Sequence, residues 1–253
     1  MKVALIVLFA LTAALYASVG FGGGSTYNAL LVLSGADYRI YPIIALACNI
    51  AVVSGNTYRF SKAGFLNWQK ILPFIALAVP MAWIGGRLNI PEIVFIGLLG
   101  ASLLFAGISL LLKKGQDSDK TPRHIGWLAY PIGGAIGLIS GIVGIGGGIF
   151  LAPILHRMNW GGAKAIAAAS SLFILVNSIS GLLGQFVKLQ SQDLLQLAQP
   201  YWLLIPAVLI GGWVGNTIGI KKLDPQIVRR LTALLILYVA LRLLWKFFNM
   251  SLS

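Results

Sequence analysis

Charge is scarce in this chain. Asp, Glu, Lys and Arg make up 10% of its 253 residues, against about 25% in a soluble domain. Carboxylates are rarest: the six are Asp37, Glu92, Asp117, Asp119, Asp193 and Asp224. All fall in loops or at the ends of apolar runs, so the mid-membrane acids that pumps use as proton relays have no counterpart here. The two histidines, His124 and His156, also flank runs. No H-E-x-x-H pattern occurs, and neither a metal site nor a cofactor is expected. The single cysteine, Cys48, excludes an internal disulfide and reads as a small buried hydrophobe. Strict apolar–polar alternation in ten-residue segments is missing, which excludes a transmembrane β-barrel.

What fills the chain is apolar. Hydrophobic residues account for 58% and the mean hydropathy is +0.88. Long apolar stretches recur at Val3–Val19, Ile71–Gly86, Ile93–Leu112 and Trp202–Ile220, with another around Leu231–Leu241. A membrane span takes about 20 such residues. The chain reads as an all-α polytopic membrane protein, multi-pass in a bacterial plasma (inner) membrane. The first run is expected to belong to the fold and not to a cleaved leader, because its sequence returns in the second half. The net charge of +13 would suit nucleic acid, but Lys113/Lys114, Lys221/Lys222 and Arg229/Arg230 sit at the ends of runs. That is where topology signals and anionic lipid contacts belong. Membrane lipid is the expected partner, nucleic acid is not, and an oligomer is left open.

Glycine carries the pattern. "VGFGGGSTYNAL" (Val19–Leu30) returns as "VGIGGGIFLAPI" (Val143–Ile154), 124 positions on. "PMAWIGGRL" (Pro80–Leu88) returns as "PAVLIGGWV" (Pro206–Val214), and "PEIV" (Pro91–Val94) as "PQIV" (Pro225–Val228). Three anchors in one order predict a tandem duplication. Residues 1–114 form the first transmembrane repeat, 115–124 a polar linker within "KKGQDSDKTPRH" (Lys113–His124), and 125–253 the second repeat. Each repeat is expected to hold a glycine-broken helix or re-entrant hairpin (3–34, 127–158) and three further helices. These helices are placed at about 40–60, 70–88 and 92–113, then 163–187, 200–220 and 226–248. Gly133, Gly137 and Gly141, like Gly211, Gly215 and Gly219, repeat every fourth residue and suit close helix packing.

The G-G-G run fits no nucleotide motif. The G-x-G-x-x-G frame fails at Ser25 and at Ile149, and no Gly-Lys-Ser/Thr follows. Length explains it better. Val3 to Ser34 as one straight helix would measure about 48 Å, against a hydrocarbon core of about 30 Å. Contiguous glycines are the cheapest place to unwind it. Broken helices at matching positions in duplicated halves point to a transporter's binding site, where free amides and a helix N-terminus favour an anion. Candidate substrate contacts are therefore Gly22, Gly23, Gly24, Ser25, Thr26, Asn28 and Asn49 in the first half. In the second they are Gly146, Gly147, Gly148, Ser170, Ser171 and Asn177. Ser54, Asn56, Ser178 and Ser180 are further polar neighbours.

The charges discriminate two topologies. If each broken segment crosses fully, the repeats lie parallel and the 19 Lys and Arg split 11 to 8. If each is a re-entrant hairpin, the repeats are inverted. One side then holds only six of them, Lys2, Arg39, Arg87, Lys188, Arg242 and Lys246, and the other thirteen. The positive-inside rule favours the inverted arrangement, with both termini outside and the linker in the cytoplasm.

The duplicated G-x-G-G-G segments (Gly20, Gly22–Gly24; Gly144, Gly146–Gly148, with Pro153) and the paired I-G-G motifs (Gly85/Gly86, Gly211/Gly212) resemble the sulfite exporter TauE/SafE family, also called the toluenesulfonate uptake permease group. The resemblance covers nearly the whole chain. It departs at Ala29, where the second copy has Pro153. It implies a membrane transporter of a small anion, sulfite or an organosulfonate. Energetics lean to export, since an anion leaving a negative interior gains about 2.3 kcal/mol per charge per 100 mV. The alternatives are an uptake permease for a related organic anion, a channel, or a non-transporting membrane assembly protein. An enzyme is not expected: "GLISG" (Gly137–Gly141) is not the G-x-S-G of an intramembrane protease.

Overall fold

A computed structural model describes residues 3–18, 20–112, 126–189, 194–219 and 225–252, so the linker expected at 115–124 lies outside the described residues. Eleven α-helices follow one another. They are α1 (Val3–Ser18), α2 (Gly24–Ser34), α3 (Tyr41–Lys62), α4 (Trp68–Arg87), α5 (Glu92–Leu112), α6 (Ala129–Val143), α7 (Gly148–Arg157), α8 (Ala163–Leu189), α9 (Leu194–Ala198), α10 (Leu204–Val214) and α11 (Pro225–Leu252). No strand occurs among the described residues. Seven helical stretches are long and apolar enough to cross a membrane; α1, at 16 residues, is shorter.

Local chemistry sets several boundaries. Asp37 accepts from the Arg39 amide at 2.9 Å and starts the 3₁₀ turn Tyr38–Ile40. Pro42 then opens α3, where a missing N–H costs nothing. Asn67 caps α4 by accepting from the Lys70 amide at 3.1 Å. The helix expected at 200–220 is present as one span, Gln196–Thr217, whose local type changes along it. A 3₁₀ turn precedes α10, and a π-helical turn, Gly215–Gly219, follows it.

Glycines fix how the helices run. A methyl group at Gly133, Gly137 or Gly141 of α6 would overlap the carbonyls of Phe74, Ala78 or Ala82 of α4. The matching step along both chains means that α4 and α6 run in the same direction in backbone contact. Gly211 meets the Ala10 carbonyl and Gly215 the Ala14 carbonyl, so α10 and α1 run together in the same way. Each I-G-G motif thus packs onto the other half of the chain. Two further pairs run antiparallel. In α5 and α11, Gly97 meets Phe247, Gly100 meets Leu244 and Gly107 meets Leu237. In α3 and α8, Leu46 lies beside Gly181, while Phe60 and Ala167 both lie beside Gly20.

These directions trace the chain. The bundle has a terminal end, where α1 starts and α11 stops, and a linker end, where α5 stops and α6 starts. The α1–α2 segment enters and leaves at the terminal end, and α6–α7 enters and leaves at the linker end. Trp160, just after α7, sits under the Lys70 ammonium at the start of α4, while Gly141 near the end of α6 reaches Ala82 and Gly86 near the end of α4. Both glycine-broken segments are hairpins inserted from opposite ends.

Close helix approach of this kind is tested by adding a single methyl group. Gly137→Ala is expected to destabilise the protein by about 1–3 kcal/mol, the usual cost of overpacking. Gly162→Ala, where nothing lies within 4 Å of the added carbon, should be silent. Thermal unfolding in detergent, followed by size-exclusion chromatography, measures both.

Candidate functional site

In the first hairpin, α1 stops at Ser18 and α2 starts at Gly24. In the second, α6 stops at Val143 and α7 starts at Gly148. The residues that precede the short helices are Gly23, with φ 90°, and Gly147, with φ 81°. Both are left-handed, a conformation that only glycine adopts without strain. Neither makes a side-chain cap. Among the described residues, the amides of Gly24, Ser25 and Thr26 find no acceptor, nor do those of Gly148 and Ile149. Both short helices therefore start with open N–H groups and the positive end of a helix dipole inside the bundle.

The long central helices hold these breaks crosswise. Asn49 of α3 donates Nδ2–H to the Ile145 carbonyl in the second break at 3.0 Å. Ser171 of α8 donates its hydroxyl to the Gly20 carbonyl in the first. Asn28 of α2 donates to the Val143 carbonyl at 2.9 Å, and Gln185 of α8 to the Gly141 carbonyl at 3.1 Å. Tyr16 and Thr26 pair through their hydroxyls at 2.9 Å, tying α1 to α2.

Asn49 is the point of convergence. Its side-chain amide fills the space that a Cβ would need at Gly22, Gly24 and Gly146, and the Ile145 carbonyl also lies against Gly24. Ser178 Oγ approaches Gly146 from α8. The two helix starts thus meet from opposite ends of the bundle around one fully buried asparagine.

Several buried polar atoms here have no partner. They are Asn28 Oδ1, Asn49 Oδ1, the hydroxyls of Ser140, Ser170 and Ser178, and both amide atoms of Asn177. Each costs about 1–3 kcal/mol when left unpaired. Serine hydroxyls, the Asn177 amide and the open backbone amides all donate. Such donors suit a negatively charged group, whereas the oxygens of Asn28, Asn49 and Asn177 accept and call for a donor.

The residues expected from sequence divide by position. Gly22, Gly24, Asn49 and Gly146 come together at the convergence. Gly23 and Gly147 set the backbone turns, and Ser25 and Thr26 open α2. Gly148 packs against Ile174 and near the Ser170 carbonyl. Ser171 and Asn28 act as straps. Asn177 is buried, but no hydrogen bond brings it to either break. Among the described residues no cluster of His, Cys, Asp and Glu could hold a metal.

Sequence reasoning missed the approach to the site. A cavity of about 620 Å³ opens between the ends of α1, α3 and α7, the start of α8 and the π-helical turn. Phe21 of the first break and Asn56 line its inner part, and Arg59, His156 and Lys164 also border it. At the terminal end a second cavity of about 540 Å³ lies beside Tyr41, Glu92 and Arg242, while neighbouring helices there make backbone contact. Gly85 meets the Leu138 carbonyl, Gly86 the Gly181 carbonyl, and Gly184 the Trp83 carbonyl.

Comparison with known proteins adds a family. The model of the sulfite exporter TauE/SafE family matches residues 5–243. The chain is 35% identical over 247 residues to the probable membrane transporter protein y4hK of Sinorhizobium fredii, covering 96% of this chain and 98% of that protein. It is 25% identical to the probable membrane transporter protein MamO of Paramagnetospirillum magneticum and to that of Magnetospirillum gryphiswaldense. Those matches cover 88% of this chain but only 41% and 42% of the relatives. No solved structure matches the chain.

The crosswise straps are testable by deletion. Asn49→Ala strands the Ile145 carbonyl and Ser171→Ala the Gly20 carbonyl, so each is expected to cost about 1–3 kcal/mol. Ser54→Ala, whose hydroxyl is exposed and bonds within its own helix to Ile50 at 2.6 Å, should stay within about 0.5 kcal/mol of wild type. Chemical denaturation in detergent, read by tryptophan fluorescence, gives the three values.

Proposed function

The chain belongs to the sulfite exporter TauE/SafE family of membrane transporters, a multi-pass protein of a bacterial inner membrane, and we propose that it exports a small anion, sulfite or an organosulfonate. One observation carries this reading: two uncapped helix starts enter from opposite ends of the bundle and converge at Asn49 with their amides open. Such a site binds negative charge through dipoles and N–H groups. It carries no fixed positive charge that would trap the anion.

The repeat and its sidedness belong to the same proposal. The antiparallel pairing of α3 with α8 and of α5 with α11 is what a two-fold axis in the membrane plane produces. We take the halves as inverted repeats. The thirteen-to-six distribution of Lys and Arg then puts the linker end in the cytoplasm. A cavity of about 620 Å³ opens at that end and one of about 540 Å³ at the other, so the outward direction rests on the energy an anion gains on leaving a negative interior. No carboxylate lies at the glycine breaks to couple flux to protons or Na⁺. Transport is the activity we assign, in keeping with the family of membrane transporters to which the chain belongs.

Sulfite flux in proteoliposomes tests the proposal. An imposed potential of about 60 mV should change the initial rate by up to about tenfold if one full charge crosses the field. Na⁺ should be dispensable. Gly23→Val and Gly147→Val should abolish flux while the protein still inserts, since a β-branched residue cannot hold the left-handed turn. Wild-type flux in either variant at equal expression, or no anion flux in the wild type, would overturn the reading.

A further inference from the structure

We propose that Arg59 and Lys164 form a capture vestibule for the transported anion, which raises its local concentration at the linker end without holding it at the glycine breaks. The inference rests on the reading of the protein as an anion transporter. It adds a second, electrostatic site that the sequence motifs do not mark.

The vestibule is the cavity of about 620 Å³. None of the described residues that line it is acidic, while Arg59, Lys164 and His156 border it. The terminal end is different. There Arg39 is paired with Asp37 at 2.7 Å and Lys246 with Glu92 at 2.8 Å. Among the described residues, those pairs hold the only carboxylates. Two terminal-end cations are thus neutralised, with Arg242 beside them, whereas Arg59 and Lys164 have no carboxylate partner among the described residues.

Both vestibule cations are held in place by contacts that leave their charge intact. Arg59 donates from Nη1 to the Asn216 carbonyl at 2.6 Å. Asn216 lies in the π-helical turn, a backbone irregularity that frees carbonyls from the usual helical ladder. Lys164 places its ammonium 5.2 Å from the centre of the Phe65 ring, an electrostatic contact with an aromatic face. Neither contact supplies a negative charge, so both residues present positive potential to the cavity.

Geometry connects the vestibule to the breaks. Phe21, within the first break, lines the cavity, as does Asn56, whose buried Nδ2 has no partner. Along α3, Arg59 stands one turn beyond Asn56, and Asn56 two turns beyond Asn49. At a helical rise of roughly 1.5 Å per residue, the ten residues from Arg59 to Asn49 span about 15 Å. That is close to two Debye lengths at physiological ionic strength. Arg59 therefore acts on an anion that has entered the cavity, and only weakly on one already at Asn49. Clefts lined by charge of one sign raise on-rates by about 10–10³. A capture role thus predicts a change in KM with little change in kcat.

Initial-rate sulfite flux in oriented vesicles, measured from each face, tests this. Arg59→Gln with Lys164→Gln should raise KM at least about fivefold for sulfite supplied at the linker end. The value of kcat should stay within about twofold, and KM from the opposite face should be unchanged. The wild-type KM should rise with ionic strength, and the double variant should lose most of that dependence. Arg59→Lys with Lys164→Arg, which keeps both charges, should restore the wild-type KM. An unchanged KM in a double variant that still transports would overturn the vestibule alone. So would equal KM increases from both faces, or failure of the charge-preserving variant to restore KM. Absence of sulfite flux in the wild type would overturn the transport reading itself.

Discussion

Unwound backbone inside a bilayer must find its hydrogen bonds within the protein, because no water is present to supply them. In this chain the carbonyls of Ile145 and Gly20 meet that demand by accepting from Asn49 and Ser171. The donors stand on α3 and α8, so each half supplies the bond that its counterpart's break requires. Asn28 and Gln185 extend the arrangement to the end of α6. With those carbonyls satisfied, the amides of the short helices are left open. The proposed anion site rests on those open donors at the two breaks.

The rest of the bundle serves to bring the breaks together. A hairpin inserted from one end must be clamped along its first leg, and helices in lipid are clamped by close packing. The glycines of α6 let α4 in, and those at the end of α10 let it reach α1. Packing differs in detail between the ends. Gly86, Gly181 and Gly184 pack backbone to backbone at the terminal end, whereas a methyl group added at Gly212 would stand 3.6 Å from Val52 at the linker end. The π-helical turn follows immediately, beside the cavity.

Much of this was legible from residue patterns. The chain's helical, membrane-spanning character follows from apolar run lengths, and the positions of the breaks follow from G-x-G-G-G. α3, α4 and α5 fall within a few residues of their expected places. Other features depend on which helices meet. Asn49 looks like any polar residue in an apolar run until the fold sets it against Ile145. Ser171 is likewise anonymous until Gly20 arrives from the other half. Arg59 and Lys164 carried a clear signal, but it was read as topology, since a charge at a helix end does not reveal that a cavity lies beside it. The π-helical turn at the end of the 200–220 helix was also hidden, because Asn216 and Thr217 interrupt the apolar pattern too little to mark it.

The claim that the two helix starts share one anion can be examined by locating an anion. Selenite mimics sulfite in shape and charge, and selenium can be identified by anomalous scattering. Crystals grown with selenite should give an anomalous peak beside Asn49, within hydrogen-bond distance of the amides at the start of α2 or α7. The peak should vanish in Gly147→Val. A peak confined to the cavity rim, or density far from both breaks, would contradict the account.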